Sequence, residues 1–212
     1  MSEKVVILGT AHRLREPGKC SPDGRFKECI YTREIIDELC VKLKDYSVTT
    51  FVDFMDLDLP KSMQSNDYKK ERSRELSLRV RNVNDICSQY GEKNCCYVSI
   101  HVDAIGNDGK WHDANGWSVR VSPKASALSK RLAGYLFDEA KENELRTRQP
   151  QPTQKYWSQS LKVLNDTNCP AVLTENLFQD NLADVDFLLS DLGRHTIERL
   201  HLEGILRYIH SL

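Results

Sequence analysis

Short apolar runs alternate with longer stretches of helical periodicity along most of the chain. Residues 5–8, 95–100 and 170–174 are runs with apolar or small side chains at successive positions, a pattern typical of strands buried between two layers. Residues 28–45 and 70–90 carry apolar side chains at approximately helical spacing. This alternation predicts an α/β fold with three layers, in which helices flank a mixed, mostly parallel sheet.

The remaining segments extend the same pattern. Residues 46–52 are rich in β-branched and aromatic side chains, and residues 117–121 alternate as a strand with one exposed face. Ser122-Pro123 is predicted to start a helix that runs to about residue 143, because proline favours the first helical position. Two further helices are predicted over residues 182–191 and 193–209.

Length, composition and charge narrow the class of protein. The chain has 212 residues and no apparent linker, so residues 1–212 are expected to form a single domain. Hydrophobic residues make up 40% and charged residues 29%, which is ordinary for a soluble globular protein. The net charge of −1 gives no electrostatic reason to expect nucleic acid or an anionic membrane as a partner. No run of about 18 apolar residues occurs, so no membrane span is expected.

The N-terminus and the cysteines bear on where the protein is made. Residues 1–4 lead directly into the first predicted strand, which leaves no room for a signal peptide. The seven cysteines are odd in number and lack the CxxC pairs of structural zinc sites. Several fall on apolar stripes or in a core strand, as buried reduced thiols do. We therefore expect synthesis in a reducing cytoplasm. Separately, we expect the protein to be a monomer.

Polar residues with metal-binding or acid–base chemistry end three of the predicted strands. His12 closes the first run, His101 follows the third strand, and Glu175 follows the last buried strand. Strand ends that share one edge of an α/β sheet are where such folds place their ligands. Imidazole is a common ligand of catalytic zinc, which usually takes three protein ligands and leaves one open position. The two histidines therefore predict a metal site that needs one more ligand.

A glutamate is the best candidate for the third ligand. Glu28 stands at the start of the first predicted helix, where it can turn back towards His12; Glu16 and Glu34 are nearby alternatives. A carboxylate outside the coordination shell can serve as the acid and base of amide hydrolysis. Glu175 is the candidate for that role, because it projects from the end of its own buried strand.

Six motifs in this order support a comparison with a known family. They are Ile7-Leu8-Gly9-Thr10-Ala11-His12, Glu28, Leu78-Arg79-Val80-Arg81-Asn82-Val83-Asn84, Ser99-Ile100-His101-Val102-Asp103-Ala104, Gly116-Trp117-Ser118-Val119 and Leu173-Thr174-Glu175-Asn176-Leu177-Phe178-Gln179-Asp180-Asn181. Together they resemble the zinc-dependent N-acetylmuramoyl-L-alanine amidases of the type 3 family, and the match runs almost end to end. The chain departs from the family pattern at Asp103, where asparagine is common, and at Asn176, where glycine is usual.

The resemblance implies a catalytic domain that uses Zn²⁺. It implies that His12, Glu28 and His101 hold the zinc and that Glu175 is the catalytic acid and base. The implied substrate is peptidoglycan or a muropeptide, cut at the amide between N-acetylmuramic acid and L-alanine. A cytoplasmic product would reach the wall after release, as a phage-type endolysin does, or by an export route that the sequence does not reveal; recycling of internalised fragments is a third route.

Two other functions stay open at the level of sequence. A zinc exopeptidase of related architecture would need a cation for a terminal carboxylate, and Arg120 or Arg146 could supply it. A catalytically silent wall-binding protein would retain the fold without the chemistry.

Several other side chains also have two interpretations. His112 is a spare ligand or a solvated loop residue, and Trp111 on the same loop is the tryptophan that could stack on a sugar ring. Arg81 and Asn84 either orient carboxylates of the site or belong to a salt-bridged helix face.

Overall fold

A six-stranded sheet forms the centre of the computed structural model, which describes residues 3–212. Its strands are β1 (Val5–Gly9), β2 (Thr49–Val52), β3 (Cys95–Asp103), β4 (Ser118–Val121), β5 (Trp157–Ser158) and β6 (Ala171–Phe178). Across the sheet they follow the order β2-β1-β3-β6-β4-β5. All neighbouring pairs are parallel except β4 and β6, which run antiparallel. The predicted mixed, mostly parallel sheet is therefore confirmed.

Helices cover both faces of this sheet. They are α1 (Glu28–Asp45), α2 (Tyr68–Tyr90), α3 (Ala127–Glu142), α4 (Lys162–Asn165), α5 (Leu182–Leu189) and α6 (Asp191–His210). Alternate residues of β1 point to opposite layers: Val6 and Leu8 pack into the core shared with α1, α3, α5 and α6, whereas Val5 and Ile7 face α2 and α4. The three-layer α/β architecture follows from this burial on both faces. Among the helices of residues 3–212, none combines the length and apolarity needed to cross a bilayer.

The start of α3 differs from the prediction. The helix begins at Ala127, and the hydroxyl of Ser126 accepts the N–H of Ser129 at 3.0 Å as its N-cap. Ser122 and Pro123 instead lie in a turn, closed by the Ala125 N–H on the carbonyl of Ser122 at 2.9 Å. The prediction from Pro123 was wrong because a serine later in the chain supplies the capping oxygen that the first free N–H groups require.

An extra residue in β6 shapes the end of the sheet. His101 of β3 pairs with Glu175 of β6, but Asp103 pairs with Phe178, so β6 uses one more residue than β3 over this stretch. The bulge coincides with a left-handed backbone at Leu177, where φ is 67°. Glu175 and His101 form the last regular pair before this bulge, at the carboxyl edge of the sheet.

Candidate metal centre

Three side chains from distant parts of the chain converge at the carboxyl edge of the sheet. His12 follows β1, His101 lies near the end of the neighbouring β3, and Glu28 is the first residue of α1. Nε2 of His12 lies 3.4 Å from Oε2 of Glu28, and Nδ1 of His101 lies 3.1 Å from Oε1 of Glu28. One ligand atom from each residue can be chosen so that all three lie within 4.8 Å of one another. The structure thus brings together the three predicted ligands.

Glu28 sits at the middle of this group as a buried anion. Its Oε1 accepts the N–H of Val102 at 3.1 Å, but its Oε2 has no hydrogen-bond partner. Burial opposes ionisation, yet the charges and hydrogen bonds of His12, His101 and Lys19 hold the pKa of Glu28 at about 2. A buried carboxylate that lies between two imidazole nitrogens and has one oxygen without a hydrogen bond suits a divalent cation. The donor set therefore fits a zinc ion.

The backbone of His12 is held in an unusual conformation. Its φ of 47° lies in the left-handed region, which costs a non-glycine residue roughly 1–3 kcal/mol. Arg33 from α1 donates to the carbonyls of Ala11 and His12 at 2.9 and 3.1 Å. Arg79 from α2 donates to the same His12 carbonyl at 3.3 Å. One guanidinium from each helical layer thus fixes the direction in which the imidazole leaves the strand.

Arg79 belongs to a buried polar network behind the site. It contacts both carboxylate oxygens of Asp53 at 2.9 Å, and its Nε donates to Glu75 at 2.9 Å. The hydroxyl of Tyr97 donates to Asp53 at 2.9 Å. Because every charge in this network has an opposite partner, Arg79 can remain buried while it supports His12.

The α2 segment over residues 78–84 reaches the site through Arg79 and not through Arg81 or Asn84. Arg81 is exposed, and Asn84 donates to the carbonyl of Asp166 at 2.9 Å, away from the histidines. Arg79 is the member that reaches the site, because it shares the buried face of α2 with Glu75, four residues earlier. Arg81 and Asn84 therefore do not orient carboxylates of the site, and that one of their two interpretations was wrong.

Glu175 lies next to His101, since the two residues are paired across β3 and β6. Its side chain is only 13% exposed, and its Oε1 lies 3.2 Å from Nε of Arg120. Burial, followed by the negative charge of Asp103, raises the pKa of Glu175 to about 8, although Arg120 acts in the opposite direction. A carboxyl group with such a pKa can accept and release a proton near neutral pH.

An ion-pair chain anchors the Glu175 side of the site. Arg120 also donates to Oδ2 of Asp103 at 2.9 Å, and Arg148 donates to the same oxygen at 3.0 Å. The departure from the family pattern at Asp103 therefore has a structural role, because this carboxylate holds two arginines. Arg120 contacts carboxylates of its own chain, so it is not the free cation that an exopeptidase would need.

Asn176, the second departure from the family pattern, supports the backbone of His101 through a hydrogen bond. Its Nδ2 donates to the carbonyl of His101 at 2.9 Å and to the hydroxyl of Thr174 at 3.1 Å. Its Oδ1 accepts the indole N–H of Trp117 at 2.8 Å. A glycine could make none of these side-chain bonds, so the asparagine of β6 links β3 and the residue that precedes β4.

The other candidate residues lie outside the three-residue group. His112 faces Asp108 at 3.0 Å on the loop after β3, and Trp111 beside it is 36% exposed. Glu34 forms a surface ion pair with Arg194. Glu16 approaches the other ring nitrogen of His12, at 3.3 Å, and does not take the place of Glu28.

A cavity opens beside the two histidines, between α2 and the α4 region. Its lining combines aliphatic side chains with cations and with the carboxylates of Glu16 and Glu75. Besides the histidines, its lining includes Leu76, Leu161, Val163, Leu173, Arg72 and Lys162. A substrate held at the metal centre would have room for neighbouring groups in this cavity.

Comparisons with known proteins agree with this geometry. The chain is 26% identical over 210 residues to the probable cell wall amidase LytH of Staphylococcus saprophyticus, covering 98% of this chain and 59% of that relative. It is 28% identical over 109 residues to the endolysin of Bacillus phage SPP1, covering 51% of this chain and 38% of that one. The chain therefore spans about 59% of the length of the first of these relatives and less of the second.

A solved structure and a family model identify the fold and the family of the chain. The crystal structure of an N-acetylmuramoyl-L-alanine amidase from Clostridium difficile 630 superposes with a TM-score of 0.78 at 20% identity, covering 100% of this chain and 99% of that chain. The family model described as N-acetylmuramoyl-L-alanine amidase matches residues 6–207, nearly the whole chain. The protein therefore belongs to the N-acetylmuramoyl-L-alanine amidase family.

Proposed function

We propose that residues 1–212 act as one catalytic domain, a zinc-dependent amidase that cuts peptidoglycan between N-acetylmuramic acid and L-alanine. The observation that carries the proposal is the compact group of His12, Glu28 and His101, in which the buried Oε2 of Glu28 has no hydrogen bond. Membership of the amidase family supports the choice of bond.

The ligand atoms are assigned from the contacts around Glu28. Nε2 of His12 and Nδ1 of His101 face the carboxylate, so these nitrogens and a Glu28 oxygen would hold the zinc. When bound there, zinc would supply the Lewis acid that polarises the scissile carbonyl and makes the attacking water more acidic.

Glu175 is assigned the proton transfers. Its carboxylate would take a proton from the attacking water and then deliver it to the departing alanine nitrogen. Arg120 restrains one carboxylate oxygen, so the side chain is held in a defined orientation beside His101. Burial of the pair limits access of bulk water, which would otherwise compete for the same proton.

Digestion of purified cell walls tests the activity. The wild-type protein should release peptides with a new N-terminal alanine and should create no free glycan reducing ends. Glu175→Gln should lower this rate by about 10²- to 10⁴-fold, because proton transfer then lacks its carboxylate. Glu38→Gln, an exposed glutamate on α1, is the matched control and should keep the wild-type rate.

Each outcome of this assay has a clear meaning. Release of single terminal amino acids without new alanine N-termini would identify an exopeptidase and overturn the amidase proposal. Wall binding that survives in Glu175→Gln, together with no turnover in the wild type, would identify a silent wall-binding protein. Metal content, measured by mass spectrometry, should be close to one zinc per wild-type chain and should fall in His101→Ala.

The site of action and the assembly are part of the same proposal. The protein would be made in the cytoplasm and would act on the wall after release or export. The names of the relatives, a probable cell wall amidase and an endolysin, support a wall substrate. We assign a monomer, which sedimentation of the purified protein tests.

A further inference from the structure

The two ring nitrogens of His12 face different carboxylates. Nε2 lies 3.4 Å from Glu28, whereas Nδ1 lies 3.3 Å from Oε2 of Glu16, whose side chain is only 4% exposed. Each carboxylate favours a proton on the nitrogen that it faces, but a neutral imidazole carries only one proton, and a cation held by Nε2 and Glu28 would leave Nδ1 to carry it. The other nitrogen is then left with a lone pair, which is the form that binds a metal.

The position of Glu16 is fixed by the short turn that follows His12. The N–H of Glu16 donates to the carbonyl of Arg13 at 3.1 Å, which folds the glutamate back beneath the imidazole. Nη2 of Arg13 lies 3.7 Å from Oε2 of Glu16, and Nε of Arg72 lies 3.5 Å from Oε1. Two guanidinium groups therefore hold this carboxylate in place and compensate its charge.

We propose that Glu16 is a positioning residue that keeps the proton of His12 on Nδ1 and so presents Nε2 to the metal. This inference rests on the proposed zinc site. It assigns to Glu16 an interaction that orients a ligand, and no direct contact with zinc or substrate.

Glu71 provides a matched control for this proposal. Its carboxylate contacts the same arginine, with Oε2 2.9 Å from Nη1 of Arg13, and it is also buried. The nitrogens of His12 are paired with Glu16 and Glu28 and not with Glu71. Removing Glu71 therefore disturbs the same arginine but leaves the contact between Glu16 and His12 intact.

The experiment compares Glu16→Ala and Glu71→Ala with the wild type in two measurements. Zinc affinity, measured at fixed pH by competition with a chromophoric chelator, should fall by about 10- to 100-fold in Glu16→Ala, as for other residues that orient a ligand, and by less than about 3-fold in Glu71→Ala. Long-range ¹⁵N NMR of the metal-free protein should show a proton on Nδ1 of His12 in the wild type and in Glu71→Ala. In Glu16→Ala the proton should move to Nε2, because Glu28 is then the carboxylate that still faces the imidazole.

A further variant covers the case in which Glu16→Ala does not fold. Glu16→Gln keeps an oxygen that can accept the Nδ1–H of His12 but carries no charge. Its zinc affinity should therefore lie between that of the wild type and that of Glu16→Ala. Equal affinities in the wild type and Glu16→Gln, or equal losses in the two alanine variants, would overturn the role assigned to Glu16. Absence of zinc binding by the wild type would instead refute the proposed function, and the tautomer measurement would still decide the role of Glu16.

Discussion

His201 gives a prediction about stability and pH that can be worked out from the structure. This residue of α6 is fully buried, and its Nδ1 donates to the carbonyl of Ile197 at 2.7 Å. Its Nε2 accepts the hydroxyl of Thr174 at 2.9 Å, since Nδ1 carries the proton. Burial lowers the pKa of His201 from 6.5 to about 4, although the bond to Ile197 acts in the opposite direction. The folded protein therefore keeps this imidazole neutral.

The size of the effect follows from linkage between protonation and folding. The unfolded chain takes up a proton near the ordinary pKa of 6.5, whereas the folded chain does so only near 4. The stabilisation is therefore fully present above pH 6.5, falls progressively as the pH is lowered from 6.5, and is lost once the pH is below about 4. At 1.36 kcal/mol for each tenfold change, the total loss is about 3 kcal/mol in the free energy of unfolding.

Urea unfolding of the metal-free protein at about pH 7 and about pH 4 measures this loss. His201→Gln cannot titrate, so the stability difference between wild type and variant should shrink by about 3 kcal/mol towards low pH. His195→Gln, an exposed histidine on the same helix, should follow the wild type. Parallel loss of stability in the wild type and His201→Gln would refute a buried neutral imidazole.

Three further predictions concern packing, a buried hydrogen bond and the metal. A Cβ added at Gly9 would lie 2.3 Å from the hydroxyl of Tyr97, so Gly9→Ala should lower the free energy of unfolding in urea by about 1–3 kcal/mol. Gly134→Ala is the control: the new carbon has open space around it, so this variant should be slightly more stable than the wild type. Trp117→Phe removes the indole N–H that bonds Oδ1 of Asn176, and the loss of this buried hydrogen bond should cost about 1–3 kcal/mol of unfolding free energy. Zinc at about 100 times its dissociation constant should stabilise the folded protein by about 2.7 kcal/mol, which thermal unfolding with and without a chelator would detect. A melting temperature that does not respond to the chelator would contradict the zinc site.

The fold and the proximity of the two histidines could be predicted because each depends on local signals. Short apolar runs identified the central strands, and a parallel sheet necessarily gathers the carboxyl ends of its strands at one edge. His12 and His101 end two such runs, so their proximity followed from the topology. Glu28 could be suggested only as one of three glutamates, because helix docking decides which of them reaches the histidines.

The supporting residues could not be predicted because they depend on long-range geometry. Arg120 reaches Glu175 only because β4 runs antiparallel beside β6, and no local pattern fixes the direction of that strand. The rotation of α2 decides that Arg79 is buried and Arg81 exposed, and the imperfect apolar period of this helix left both possible. Glu16 acquires its contact with His12 through a turn whose shape depends on Arg13 and its partners.

Because Arg33 and Arg79 both bind the carbonyl of His12, the metal affinity of the site depends on how firmly α1 and α2 pack on the sheet. One arginine comes from α1 on one face of the sheet and the other from α2 on the opposite face, and both meet at a single carbonyl oxygen. A perturbation that loosens either layer therefore relaxes the same strained peptide and lets the imidazole rotate. Substitutions deep in α1 or α2, far from the centre, should thus weaken zinc binding in proportion to how often the helix detaches.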